Sequence, residues 1–340
     1  MYSPDYIQKK LLANKPRLAF DSSKDFKAQQ TAMREKLREL LGVEREKVDL
    51  NLVVEETTET EKYTEYRINY DVEENCKGLA RLCIPKLNKE KYPLVVVLSG
   101  HGTGMHIQMG ENKYQGDNAK EGDRDIAIQA LEKGFATICL EQRGFGERRT
   151  KIAWNQNDNG KPRCAPTAMI NLLLGRTLLG DRVWDISVGI DAALTFPQID
   201  ATRIACTGNS GGGTATYYAA CLDERITVAM PSCGICTYEE SIANVPHCTC
   251  NYVPGIAKYF RMGDLAAMIA PRKLVVVNGR EDKIFLHEGV VKTFEVIKEI
   301  YKSAGVEQNC SMVTGEGGHR YFKDVAWNEF DRITNKEFEK

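Results

Sequence analysis

From Tyr92 onward the chain carries six short, mostly apolar runs: Leu94 to Leu98, Ala136 to Leu140, Arg203 to Cys206, Thr227 to Met230, Leu274 to Val277 and Cys310 to Val313. Strands without an alternating polar face must be covered on both sides, which is the situation of a parallel sheet clad in helices. Between the runs lie stretches with apolar residues at helical spacing: Asp123 to Lys133, Val183 to Phe196, Thr214 to Cys221, Val290 to Tyr301 and a segment from Tyr321. This alternation predicts an α/β fold with a mostly parallel, doubly wound sheet. Upstream the texture differs. Asp25 to Leu41 reads as an amphipathic helix stopped by Gly42, and Val48 to Ile84 alternates Thr, Tyr, Val and Ile with charges, the pattern of half-exposed antiparallel strands. Residues 1–91 are thus expected to form an N-terminal extension, helix and antiparallel strands, packed on a core domain spanning 92–340. Two segments break the rhythm, at about 145–180 and 233–263, both punctuated by Gly and Pro. Loops of that length in a compact domain are ordinarily lids or functional insertions.

Charge narrows the function. The 46 basic and 47 acidic side chains leave a net charge of -1, so there is no overall field for a phosphate backbone or an anionic membrane. Nucleic acid and membrane are therefore not expected partners, and nothing in the sequence sets an oligomeric state. The first twenty residues place charges where a signal peptide needs an apolar stretch, which makes the cytoplasm the expected location. Eleven cysteines, an odd number scattered along the chain, argue for reduced thiols rather than a disulfide framework.

The sharpest local signal is Gly208-Asn209-Ser210-Gly211-Gly212, a G-x-S-x-G pentapeptide directly after the expected strand ending near Cys206 and directly before the expected helix from Thr214. The pentapeptide alone is weak; its strand-turn-helix setting is what suggests a nucleophilic serine on a strained elbow. A serine hydroxyl is a poor nucleophile near neutral pH and needs a histidine base oriented by a carboxylate. Asp282 follows the strand from Leu274, and His319 follows the last strand, so both fall at carboxyl ends of sheet strands, where open α/β sheets bind ligands. Glu281 and Asp264 are rival acids, and His287 and His247 weaker bases. The oxyanion needs two N–H donors. Gly211, after the serine, supplies one; the Gly-rich turn Ser99 to Gly104 supplies the other, through Thr103 or alternatively Gly102. His101 in that turn is a loop brace or a substrate contact.

These pieces together resemble the α/β-hydrolase superfamily from about Tyr92 to the C-terminus. The turn Glu141-Gln142-Arg143-Gly144-Phe145-Gly146 resembles that superfamily's acidic, arginine and glycine turn, with Arg143 as a brace. The N-terminal extension, the HGTG loop, the lead-in GRTLLGDRVWDISVGIDAALTFPQID and the stretch NYVPGIAKYFRMGDLAAMIAPRKLVVVNGREDKIF are similar to acetyl xylan esterase and cephalosporin C deacetylase-like serine esterases. The resemblance implies an α/β-hydrolase fold and a carboxylesterase that removes small acyl groups, acetyl foremost, from a small-molecule ester, with Ser210, His319 and Asp282 as the triad and no metal or organic cofactor. The alternatives are a prolyl-oligopeptidase-like peptidase and a binding protein that kept the fold without turnover. The two insertions are expected at the pocket rim, with Trp154, Trp184, Tyr252 and Tyr259 as aromatic candidates. Within the second insertion, Cys233, Cys236, His247, Cys248 and Cys250 raise the question of a zinc site, but the second pair has C-x-C spacing, and reduced thiols are the expectation.

Overall fold

The computed structural model describes residues 5–150 and 161–338. Its strands, in chain order, are β1 (Val53–Glu59), β2 (Tyr63–Glu73), β3 (Cys76–Pro85), β4 (Tyr92–Leu98), β5 (Ala136–Leu140), β6 (Ile199–Asn209), β7 (Ile226–Ser232), β8 (Lys273–Gly279) and β9 (Cys310–Gly315). The helices are α1 (Asp5–Leu12), α2 (Phe26–Leu41), α3 (Ile126–Glu132), α4 (Cys164–Leu173), α5 (Leu178–Ala193), α6 (Gly211–Leu222), α7 (His287–Ser303) and α8 (Lys323–Thr334).

Among the described residues the strands form one sheet in the order β1-β2-β3-β5-β4-β6-β7-β8-β9. β1, β2, β3 and β5 pair antiparallel in turn, and every pairing from β5 through β4 to β9 is parallel. The N-terminal strands therefore continue the same sheet, β3 laying Ala80 to Cys83 against β5. β1 is exposed along its whole length, which explains its run of Glu and Thr: an edge strand with charged side chains resists pairing with another chain.

The all-apolar β4 serves both faces. Leu94, Val96 and Leu98 join the core formed with α2, α5, α6 and α7, while Val95 and Val97 join Ile126 and Ala130 of α3 and Trp327 and Phe330 of α8. α2 begins where Asp25 accepts the Ala28 N–H at 2.7 Å and ends at Gly42 in the left-handed region (φ 67°), as expected from its cap residues. The first insertion departs from the loop expected there, because it contains α4. That helix buries only Cys164, Ala168 and Asn171 while Met169, Ile170, Leu172 and Leu173 are exposed. Its sequence, CAPTAMINLL, is apolar on nearly every side, so it carries no amphipathic stripe.

The chain leaves β4 in one direction, toward β5, and returns on the other side as β6. The crevice at their carboxyl ends is a topological switch point, where open α/β sheets bind ligands.

Candidate active site

Ser210 sits between the end of β6 and the start of α6 with φ 58° and ψ -121°, a conformation rare for a residue with a side chain and characteristic of a strained nucleophile elbow. Its N–H donates to Ser232 O at 2.8 Å, and its carbonyl accepts the Thr214 N–H at 2.8 Å, fixing both sides of the turn. The flanking glycines are required by crowding. A Cβ on Gly208 would lie 2.5 Å from Leu98 O, and one on Gly212 would lie 2.2 Å from the same oxygen. β4 thus passes so close beneath the elbow that only hydrogen fits.

Asp282 lies in the turn after β8, with its side chain out of solvent. Its Oδ1 accepts the N–H groups of Ile284 at 2.8 Å and Phe285 at 3.1 Å, leaving Oδ2 facing His319 Nδ1 at 2.7 Å. Burial by itself would raise this carboxyl. The hydrogen bond and charge of His319, with the two N–H groups, outweigh that and hold it below the usual carboxylate range. Phe285 stacks on the imidazole, with 12° between the planes and 5.9 Å between centroids. Cys233 packs behind the pair, its thiol bonded to Arg320 O at 3.2 Å and pushed up by burial. Of the rival acids, Glu281 points to solvent, and Asp264 is buried elsewhere, accepting from Arg261 and from the Phe20 N–H. His287 is bonded to Asn278 and His247 to Ser241.

Ser210 and His319 line the same cavity of about 160 Å³, together with Ser99 to Gly102, Ile107, Gln108, Arg124 and Asn209. No hydrogen bond joins the Ser210 hydroxyl to the ring among the described residues; such bonds are often loose before substrate arrives. Gly100 crosses the elbow closely enough that a Cβ there would be 3.3 Å from Ser210 Cβ, and the His101 ring covers Gly211. Gly102 borders the cavity. Thr103 does not; its hydroxyl donates to Asp117 at 2.6 Å, and Asp117 also meets His106 at 2.9 Å, a brace for the loop after β4. A second cavity of about 500 Å³ adjoins the first, sharing Arg124, Asn209 and His319 and adding Glu121, Gly122, Gly318 and Arg320.

The aromatic candidates fare differently. Trp154 lies outside the described residues. Trp184 donates its indole N–H to Val72 O, Tyr252 donates to Ile242 O, and Tyr259 lies under Arg17 and Lys36, so none of these three borders either cavity. The polar ends of Trp184 and Tyr252 are satisfied by packing partners. Arg124 was not singled out in the sequence. It borders both cavities, donating to Glu121 O at 2.9 Å and to Asn118 O, and makes no ion pair among the described residues. Being one arginine of many in a loop, it carries no local signal. Arg143 is a brace, as expected: it bonds Asp185 through two nitrogens, at 2.9 and 2.7 Å, and also reaches Asp181 and Glu73. The five Cys and His residues of the second insertion do not assemble. Cys233 backs the Asp282 pair, Cys236 reaches Leu286 O and His247 reaches Ser241, whereas Cys248 and Cys250 turn toward His101 and Cys164.

Comparison with known proteins agrees with this architecture. A Bacillus subtilis (strain 168) protein provisionally named as the hydrolase YtaP is 26% identical over 239 residues, 69% of this chain and 76% of its own length. A Bacteroides fragilis NCTC 9343 structure provisionally described as an acetyl xylan esterase superposes with a TM-score of 0.78 at 17% identity, covering 98% of this chain and 90% of the other. A glucuronoyl esterase from Solibacter usitatus gives 0.69 at 16% identity, over 95% and 97%. At such identities the two structures establish the α/β-hydrolase fold alone. The sequence profile of the acetyl xylan esterase (AXE1) family matches residues 23–268, a span that includes Ser210 and ends before Asp282 and His319. With well over half of its length matched, the chain belongs to the acetyl xylan esterase family and is an ester-bond hydrolase of the carbohydrate-esterase kind.

Proposed function

We propose that this protein is a serine esterase that removes small acyl groups, acetyl foremost, from carbohydrate esters. The observation that carries the reading is the 2.7 Å contact of Asp282 with His319 Nδ1, on a ring that borders the same small cavity as the elbow serine. In this reading Ser210 Oγ attacks the ester carbonyl as His319 Nε2 takes its proton. The oxyanion is received by the N–H of Gly211 and by that of Gly102, which is favoured over Thr103 because it borders the cavity. His319 then protonates the departing alcohol, and a water deprotonated by the same nitrogen cleaves the acyl-enzyme. Asp282 keeps Nδ1 protonated and Nε2 free. Cavity size supports a short acyl group: about 160 Å³ beside Ser210 suits acetyl, and the adjoining space of about 500 Å³ suits a sugar, with Arg124 placed to donate to its hydroxyls.

The test is turnover of p-nitrophenyl acetate and of acetylated xylo-oligosaccharides by the wild type and Ser210→Ala. The variant should lose about a thousandfold or more in kcat. Retention of most activity would remove Ser210 as the nucleophile, and a preference for octanoyl over acetyl esters would refute the acyl assignment.

A further inference from the structure

Four side chains from three separate stretches of chain converge beside the elbow. His101 comes from the loop after β4, Cys164 from the first turn of α4, and Cys248 and Cys250 from the cap and the middle of a 3-10 turn in the second insertion. Their ligand atoms all lie within 4.8 Å of one another, and His101 Nε2 is 3.1 Å from Cys250 Sγ. We propose that His101, Cys164, Cys248 and Cys250 form a structural zinc site that clips both insertions to the loop beside Ser210.

The donor set is that of a closed structural site, three thiolates and one imidazole with no position left for water. A tetrahedral ion with Zn–S bonds of about 2.3 Å holds its sulfurs about 3.8 Å apart, so the four ligands reach bonding distance with shifts of no more than about half an ångström each, inward for the wider pairs and slightly outward for His101 and Cys250. One side of the cluster is apolar, where Phe145, Ala168 and Leu178 are buried with Cys164 and Cys250, while Cys248 is half-buried and His101 exposed.

Charge gives an independent indication. Arg182 is 1% exposed, and among the described residues no carboxylate pairs with it. Its guanidinium donates twice to Arg143 O, lies 4.2 Å over the Phe145 ring, and donates to Cys164 Sγ at 3.2 Å. A buried guanidinium whose other partners are a carbonyl and a ring needs an anion, and the sulfur beside it supplies one once it is a thiolate. Zinc bound by three thiolates and a neutral imidazole carries one net negative charge, which Arg182 matches. Binding releases three thiol protons, one from each cysteine, and breaks no other bond.

The consequence is local order at the acyl pocket. The His101 ring lies over Gly211, where a Cβ would be 2.7 Å from Cε1, so fixing Nε2 on a metal fixes the loop that carries Gly100 and Gly102. None of the four ligands is Ser210, Asp282 or His319, so metal content is read separately from the triad.

Metal analysis of wild-type protein purified without chelator should find about one zinc per chain. Cys164→Ser and Cys248→Ser should each retain less than about a tenth of that, and Cys310→Ser, outside the cluster, should keep it all. If the variants do not fold, wild-type apoprotein titrated with cobalt(II) still decides, since one equivalent should produce the visible and near-ultraviolet bands of a tetrahedral thiolate complex. Wild type that holds no metal and gives no such bands would overturn the proposal. So would full zinc in both cluster variants, or a disulfide between any two of the three thiols in the native protein.

Discussion

An Asp282→Asn enzyme is expected to bind its ester normally and to turn it over about ten-thousandfold more slowly. Hydrogen bonds already in place dictate the outcome. Asp282 Oδ1 accepts two backbone N–H groups, at 2.8 and 3.1 Å, and Oδ2 faces His319 Nδ1 at 2.7 Å. An asparagine amide must give its oxygen to the N–H pair, because its NH2 cannot accept. That turns the NH2 toward Nδ1, so the imidazole must accept there and carry its proton on Nε2, the nitrogen that should receive the Ser210 proton. Flipping the amide instead would set NH2 against two buried N–H groups, at roughly 1–3 kcal/mol for each unsatisfied donor. Neither orientation yields a competent base. Ten-thousandfold corresponds to about 5.4 kcal/mol of transition-state stabilisation at about 1.36 kcal/mol per decade. The change is nearly isosteric, so circular dichroism should match wild type, and the loss should fall on kcat for p-nitrophenyl acetate with KM little altered. Glu281→Gln, at an exposed position, should be silent. A folded Asp282→Asn enzyme within about tenfold of the wild-type kcat would refute the role given to Asp282.

Glu141 should impose a pH dependence on stability. Burial pushes its carboxyl up to about 7, opposed by the N–H groups of Glu147 and Met105. Because the folded value exceeds the unfolded one, the contribution is complete below about pH 4.3 and is lost as pH rises toward 7. Relative to Glu141→Gln, wild type should lose about 3 kcal/mol of unfolding free energy over that interval; a constant difference in urea titrations at the two pH values would count against it. Gly212→Ala would place a methyl 2.2 Å from Leu98 O, and the cost should be about 3 kcal/mol or more, read as a lowered melting temperature together with lost activity; wild-type values for both would contradict the close approach. Arg143→Met would leave the buried carboxylates of Asp185 and Asp181 short of a partner, with an expected loss of about 3 kcal/mol in urea unfolding, and an unchanged midpoint would show that Arg148, Arg45 and Arg176 suffice.

What the sequence determined by itself was whatever a short window encodes. β5 is bounded at Ala136 and Leu140 as its apolar run indicates, α2 starts and stops at its cap residues, and the elbow serine is marked by glycines that its own turn requires. The positions of Asp282 and His319 directly after apolar runs also put both at the carboxyl ends of sheet strands. Tertiary structure decided the rest. Asp282 and Glu281 are adjacent in sequence, and only the path of the turn after β8 buries the first against His319 and leaves the second in water. α4 carries no readable stripe because CAPTAMINLL is apolar on nearly every side and contains Pro166, so nothing in its sequence distinguishes a buried face from an exposed one. The gathering of His101 and Cys164 with Cys248 and Cys250 was likewise invisible, since Cys233, Cys236 and His247 were nearer along the chain. Local periodicity reflects which face of an element is buried. Which side chains meet across separate insertions depends on how those elements pack together, a sum of many long-range contacts that no single stretch of sequence contains.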